Sequence, residues 1–289
     1  MGVVIELKNV SYRYPLSETP AIEDMSLVIE EGKFYGIIGE NGSGKTTLCN
    51  LILGFAPDFY KGELKGQVLV DGKATVSYKE GELALRIGYV FQNPFNQISG
   101  VKDTVFEEVA FGLENFGVNE DEIESRVEKV MKLTRIYDLA EKNPFALSGG
   151  QQQRLALASI IVLEPDILVI DEPTSQLDPE GTESVFEIIT AMKEAHKTIV
   201  LVEHKVDLVA EYADEVFVLA KGRLITSGTT GEVLSDISLL DHGVQLPQMS
   251  ILGVELRKQG LALPCIPITE KQGVEILRPL LGTPSGRTP

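Results

Sequence analysis

Cysteine is scarce in this chain. Cys49 and Cys265 are its two, far apart in sequence, which argues against a disulfide framework or a zinc site and leaves two free thiols. Basic residues are also in short supply, 26 Lys and Arg against 43 Asp and Glu, for a formal charge of −17. So acidic a chain is repelled by phosphate backbones and anionic lipid head groups, so neither nucleic-acid binding nor direct electrostatic attachment to a membrane is expected. Long apolar runs are missing too. The longest, Leu155–Leu163, is interrupted by Ser159 and is about half the length a bilayer-crossing helix requires. Met1–Val10 mixes acidic, basic and apolar residues and lacks the basic start and apolar middle of a secretion signal. The expectation is a cytosolic protein that reaches any membrane through a protein partner.

What is present is an ordinary globular balance, 43% hydrophobic and 24% charged residues over 289 positions, enough for one large domain with an appendage. Short β-branched runs recur at Phe34–Ile38, Ile87–Phe91, Ile167–Ile170, Thr198–Val202 and Glu215–Leu219. Helical patterns separate them, which predicts an α/β fold with a mostly parallel sheet. The first ~30 residues and Gln67–Val70 read instead as strands joined by turns such as Asp71-Gly72, an antiparallel layer. Asp121–Leu139 carries Ile123, Val127, Val130, Thr134 and Tyr137 at helical spacing. This helix and its flanks, about 94–147, interrupt the alternation as an inserted helical lobe. After a hairpin near Lys221-Gly222-Arg223, residues 231–289 form an extension to the 1–230 unit. It has a helix start capped by Thr269 with Gln272 three residues on, and a Pro/Gly/Ser-rich end, Thr283–Pro289, expected to be disordered.

Gly39-Glu-Asn-Gly-Ser-Gly-Lys45-Thr46 follows the strand Phe34–Ile38 and leads into a helical pattern from Thr47. This is the spacing of a phosphate loop. Glycines without Cβ atoms let consecutive backbone N–H groups turn inward at a positive helix end. Lys45 supplies charge to the β- and γ-phosphates and Thr46 a hydroxyl to Mg²⁺. Gly39, Asn41, Gly42, Ser43, Gly44, Lys45, Thr46 and Thr47 are therefore the nucleotide-binding candidates. A second apolar strand, Ile167–Ile170, ends in Asp171-Glu172. Asp171 is placed to hold the metal, and Glu172 to orient and deprotonate a water attacking the γ-phosphate.

Leu147-Ser148-Gly149-Gly150-Gln151 is the most specific marker. Ser148 suits a helix N-cap, and Gly149 and Gly150 leave backbone N–H groups open for an anion. With it, residues 3–230 resemble the ABC ATPase family, a P-loop NTPase core. The resemblance implies that Ser148, Gly149, Gly150 and Gln151 face the ATP held by a second subunit. It further implies that Gln92 joins Mg²⁺ and links core to lobe, that Asp178 lies in the loop crossing the dimer interface, and that His204 contacts the γ-phosphate. Tyr14 matches the aromatic that stacks on adenine, with Tyr12 the rival because alternate residues of a strand face opposite sides. Most relatives carry Ala where this chain has Gln176.

Phe91-Gln-Asn-Pro-Phe-Asn-Gln97, Val105–Gly112 and the acidic extension entered by Leu246-Pro247 narrow the resemblance to the ATPases of energy-coupling factor transporters. Phe95, Glu108 and Leu113 depart from that group's usual Asp, Asp and Pro. The likeness implies a peripheral protein on the cytoplasmic face of the membrane. Its implied partners are a second ATPase subunit, identical or paralogous, a transmembrane coupling subunit and a substrate-binding membrane subunit, for vitamin or transition-metal import. A conventional ABC importer or exporter subunit is the main rival reading, with a non-transport cytosolic ABC ATPase a further alternative. Asn93–Val101, bounded by Pro94 and Gly100, carries apolar Phe95 and Ile98 among polar neighbours. Both are expected to anchor a partner helix, as the resemblance also implies; packing inside the lobe is the alternative.

Overall fold

In a computed structural model of the chain, residues 2–79 and 81–281 are described. Their strands are β1 (Val3–Arg13), β2 (Ile22–Glu30), β3 (Phe34–Ile38), β4 (Glu63–Val70), β5 (Lys73–Ala74), β6 (Ile87–Val90), β7 (Ile167–Asp171), β8 (Thr198–Val202), β9 (Glu215–Ala220) and β10 (Arg223–Thr229). They divide between two sheets, ordered β2-β1-β4-β5 and β10-β9-β3-β8-β7-β6. The five apolar runs of the sequence are the five parallel strands of the second sheet. Every residue of β3, β6, β7 and β8 is buried, as continuous β-branched runs require when both faces are covered. β10 closes the edge antiparallel to β9 through the Lys221-Gly222 turn. The first sheet is antiparallel throughout. At its edge Asp71 and Gly72, with φ of 48° and 75°, form the two-residue turn between β4 and β5 that positive φ at both positions favours.

One apolar cluster lies between the two sheets and wraps the helix Lys45–Ile52 through Leu48, Leu51 and Ile52. A second lies on the far face of the parallel sheet. It joins Phe34, Leu168, Ile170 and Leu201 to Val105, Val109, Val127 and Met131 of the helices Val105–Asn115 and Glu120–Leu133, and to Leu155 and Leu157 of the helix Gly149–Ile161. A third carries the extension: Val233, Leu234, Leu239, Val244, Leu246 and Ile268 pack on Ile38, Val206, Val216 and Val218. As expected, Thr269 caps the helix Glu270–Leu281 by accepting from the Gln272 amide at 3.3 Å, while the Gln272 side chain returns to Ile268 N at 2.9 Å. The expected disorder of Thr283–Pro289 lies outside the described residues.

The helix expected over Asp121–Leu139 stops at Leu133. Arg135 takes φ of 55°, its amide reaches Lys132 O, and the Ile136 amide reaches Met131 O. That pair of bonds is the left-handed helix stop ordinarily made with glycine. Tyr137, which matched the helical spacing, falls in a separate short 3-10 turn and is exposed.

Ile98 also departs from its expected place. It is buried in the second cluster, whereas Phe95 is 53% exposed and stacks on Phe145 at 6.5 Å. Asn93 accepts from the Phe95 amide and starts a 3-10 turn over Pro94–Asn96. That turn sends the two apolar side chains in different directions, one out and one into the lobe. Ile98 is a core residue, not a docking anchor.

Candidate active site

Parallel pairing brings the ends of β3, β8, β7 and β6 to one edge of the sheet in that order. The loop after each end carries a singled-out residue, so residues 39–46, His204, Asp171-Glu172 and Gln92 line up side by side, where ligands of open α/β sheets bind. The glycines at 39 and 44 are dictated by the chain itself. Gly39 has φ of 153°, and a Cβ there would lie 2.1 Å from Leu219 O; Gly44 has φ of 105°, and a Cβ would lie 2.9 Å from Ala21 O. The loop curls over Lys45, whose Nζ donates to Gly39 O and Glu40 O at 2.9 Å each. Burial depresses the Lys45 pKa, and the Glu172 and Asp171 carboxylates partly restore it.

Thr46 donates its hydroxyl to Asp171 Oδ2 at 3.0 Å, and Tyr89 donates to the same oxygen at 3.3 Å. Asp171 is 3% exposed. Burial raises its pKa against the opposing pull of the Thr46 bond, and its Oδ1 is buried with no partner. The Ser43 hydroxyl is likewise buried and unpartnered. An unmatched carboxylate oxygen beside a threonine hydroxyl fits a hard cation, and a free hydroxyl in a glycine loop fits a phosphate.

Glu172 has φ of 46° and its amide donates to Val202 O. This uncommon left-handed conformation turns the side chain back along the sheet edge. Its two oxygens are held from opposite sides: His204 Nε2 lies 2.7 Å from Oε1, and Gln92 Nε2 donates to Oε2 at 2.6 Å. Thr47 accepts from the Tyr14 hydroxyl at 3.3 Å, and Asn50 donates to that same hydroxyl at 3.2 Å, so Tyr14 stands at the loop's helix, half-buried. Tyr12 is fully buried and bonded to Lys61 O, leaving no free face for a ligand.

The other predicted residues stay apart from this cluster. Ser148 and Gln151 form a capping box at the start of the helix Gly149–Ile161, closed on themselves. Gly149 and Gly150 lack positive φ, and a Cβ on either would meet nothing within 4 Å. Asp178 caps the helix Pro179–Glu194 by accepting from Gly181 N at 2.7 Å and is exposed. Asn41 and Gly42 are exposed on the loop.

Some contributors escaped the sequence reading. Tyr89 is a polar residue inside an apolar strand and looked like ordinary strand content. Glu203, the residue just after β8, is a 2% exposed carboxylate, a signal legible beside His204. Gly243 of the extension packs so closely on Glu40 that a Cβ there would lie 1.9 Å from Oε1. It helps enclose a polar cavity of about 350 Å³ with Asn41, His204 and Gln245.

The sequence profile of the ABC transporter family matches residues 22–175. The chain belongs to the ABC transporter family. It is an ATP-hydrolysing, ATP-binding subunit of that family, with the P-loop α/β architecture expected from its sequence. Over 277 residues it is 43% identical to a Pyrococcus horikoshii chain provisionally named an ABC transporter ATP-binding protein, covering 95% of this chain and 96% of that one. It is 40% identical over 286 residues to the energy-coupling factor transporter ATP-binding protein of Streptococcus agalactiae, covering 95% and 99%. Among solved structures it superposes on cbiO1 of Clostridium perfringens, part of an ABC transporter complex, with a TM-score of 0.73 and 32% identity over 90% of this chain and 98% of that one. A dimeric ATP-binding cassette bound to ADP and Pi matches with a TM-score of 0.68 and 30% identity, covering 78% of this chain and 98% of that one. No helix among the described residues is long and apolar enough to cross a membrane.

Proposed function

We propose that this ABC ATPase powers an energy-coupling factor importer of a vitamin or transition-metal ion. It works at the cytoplasmic face as half of an ATPase dimer, bound to a transmembrane coupling protein and a small substrate-binding membrane protein. The observation that carries this reading is coverage. The energy-coupling factor relative matches 95% of the chain, and so takes in the C-terminal extension, while the dimeric cassette covers 78%. The 1–230 unit then supplies the ATPase, with its lobe at 94–147, and the extension supplies contacts to the second ATPase subunit.

In this mechanism ATP is held between residues 39–47 of one subunit and Ser148–Gln151 of the other, with Asp178 beside the interface and Tyr14 against the adenine. The phosphates lie on the loop amides around Gly42, Ser43 and Gly44, and Lys45 neutralises charge from beneath. Thr46, Asp171 and Gln92 would hold Mg²⁺, which when bound offsets the negative charge of the phosphates. Glu172 orients the attacking water and accepts its proton, and His204 and Ser148 donate to oxygens of the γ-phosphoryl group as charge develops. Gln92 bonds to Glu172 and stands at the head of the segment entering the lobe. Through it the nucleotide site biases the lobe. With Ile98 withdrawn into the core, the surface offered to the membrane subunits is an apolar groove of about 770 Å³ between core and lobe. Phe55, Phe59, Tyr60, Tyr78, Phe91 and Gln97 line it.

Affinity purification of the tagged chain from its own membranes tests this reading. The expected companions are a transmembrane coupling protein and a small substrate-binding membrane protein. A conventional permease pair with neither would overturn it.

A further inference from the structure

We propose that Glu203 is a positioning residue for hydrolysis, tying the loop that carries Asp178 to the His204–Glu172 pair. The proposal rests on the site reading above, in which those two residues act on the γ-phosphate. Glu203 is 2% exposed, and a buried carboxylate is costly unless its oxygens are matched. Here they are matched on both sides. Oε1 accepts from the Thr174 hydroxyl, and Oε2 accepts from the amides of His204 at 2.7 Å and Lys205 at 3.2 Å. An apolar residue could follow β8 without that desolvation, so the carboxylate is explained by what it joins.

Lys205, exposed on the other side of His204, reaches the same segment. Its Nζ donates to Thr174 O at 3.3 Å and to the Thr182 hydroxyl at 3.2 Å. Thr174 lies two residues after Glu172, and Thr182 lies in the first turn of the helix capped by Asp178. The stretch from Glu172 to Thr182 is therefore pinned near both ends by the two residues flanking His204, whose own side chain meets Glu172 at 2.7 Å. Capping the turn into the short helix Val206–Tyr212 accounts for Oε2 alone. It leaves Oε1 and both lysine bonds unexplained. The network makes the Asp178 loop and the His204 loop move as one unit, so that engagement of Asp178 by a second subunit sets the angle at which His204 and Glu172 meet the γ-phosphate.

The test compares Glu203→Gln, Thr174→Val, their double variant and Lys205→Met in the full chain. Turnover, KM, affinity for a non-hydrolysable ATP analogue and melting temperature are measured for each. Misplacement of a catalytic pair slows chemistry by about 10- to 100-fold, so kcat is expected to fall by that order while analogue Kd stays within about twofold. Residues acting as one unit are non-additive, so the double variant should be no slower than the slower single. Lys205→Met removes exposed donors and leaves the core intact, so it decides the matter if the buried substitutions do not fold. Wild-type kcat in the folded variants, or kcat and analogue affinity falling by the same factor, overturns the proposal. Glu172→Gln run alongside separates the two readings. If it also turns over like wild type, the site assignment fails; if it is inactive while the Glu203, Thr174 and Lys205 variants are normal, only this inference fails.

Discussion

Replacing Gly150 by alanine should make the isolated chain more stable and slow the enzyme by about 100-fold. Gly149 and Gly150 occupy the first turn of the helix Gly149–Ile161, lack positive φ, and would give a Cβ nothing to meet within 4 Å. Glycine in a helix is about 0.5–1 kcal/mol worse than alanine because it loses more backbone freedom on folding. With no intrachain contact to offset that, Gly150→Ala should stabilise by about 0.4–1 kcal/mol, or about 1–4 °C in a domain of this size. Nucleotide affinity of the single subunit should not change, since the helix start makes no bond to residues 39–46. In the proposed dimer the open space at 149–150 is where the partner's nucleotide would come. A methyl group there holds the helix amides off the phosphate, and displacement on the order of 1 Å costs about 100-fold in rate. Melting temperature by scanning fluorimetry, nucleotide Kd, ATP-dependent association by light scattering and steady-state ATPase rate together give the answer. Unchanged turnover would show that nothing docks on this surface. A loss of several degrees would show that glycine is required by the chain's own packing, as it is at Gly44.

Glu172→Gln keeps the side chain's shape and removes the proposed base; it should bind ATP with Mg²⁺, hydrolyse it very slowly and accumulate as a closed dimer, seen as an ATP-dependent rise in scattering mass. No association with ATP would count against the shared site. Ile98→Ala should destabilise the fold by about 2–5 kcal/mol, as deletion from a packed core does, whereas Phe95→Ala, half exposed against Phe145, should cost no more than about 1.5 kcal/mol, the worth of an aromatic pair; urea midpoints that reversed this order would overturn the burial argument. Burial pushes the Cys49 thiol well above its ordinary pKa while Cys265 is exposed, so a disulfide-exchange reagent at neutral pH should titrate one thiol at once in the native chain and both in denaturant. Two fast-reacting thiols in the native chain would refute it.

By itself the sequence determined the strands, the phosphate loop and the carboxylate pair. Apolar runs such as Ile167–Ile170 and Thr198–Val202 leave no other means of burial, and the glycine spacing of 39–44 is dictated by local backbone geometry. Local rules also placed Ser148 and Thr269 as helix caps, since a cap is satisfied within one turn. What the sequence left open was settled by packing at a distance. Tyr12 lies on β1 and Tyr14 just past its end, and only the neighbouring strand and the Lys45–Ile52 helix decide which is enclosed. Phe95 and Ile98 share one polar-looking segment, and the 3-10 turn at Pro94 with the lobe's core beneath it sends one out and one in. The helix Glu120–Leu133 stops without glycine or proline to mark it, because the left-handed turn at Arg135 is stabilised by the bond from Ile136 back to Met131. Glu203 and Thr174 are 29 residues apart, and only the parallel pairing of β7 with β8 brings them together. Periodicity reports which face of an element is apolar; which other element covers that face is fixed by contacts that no local pattern encodes.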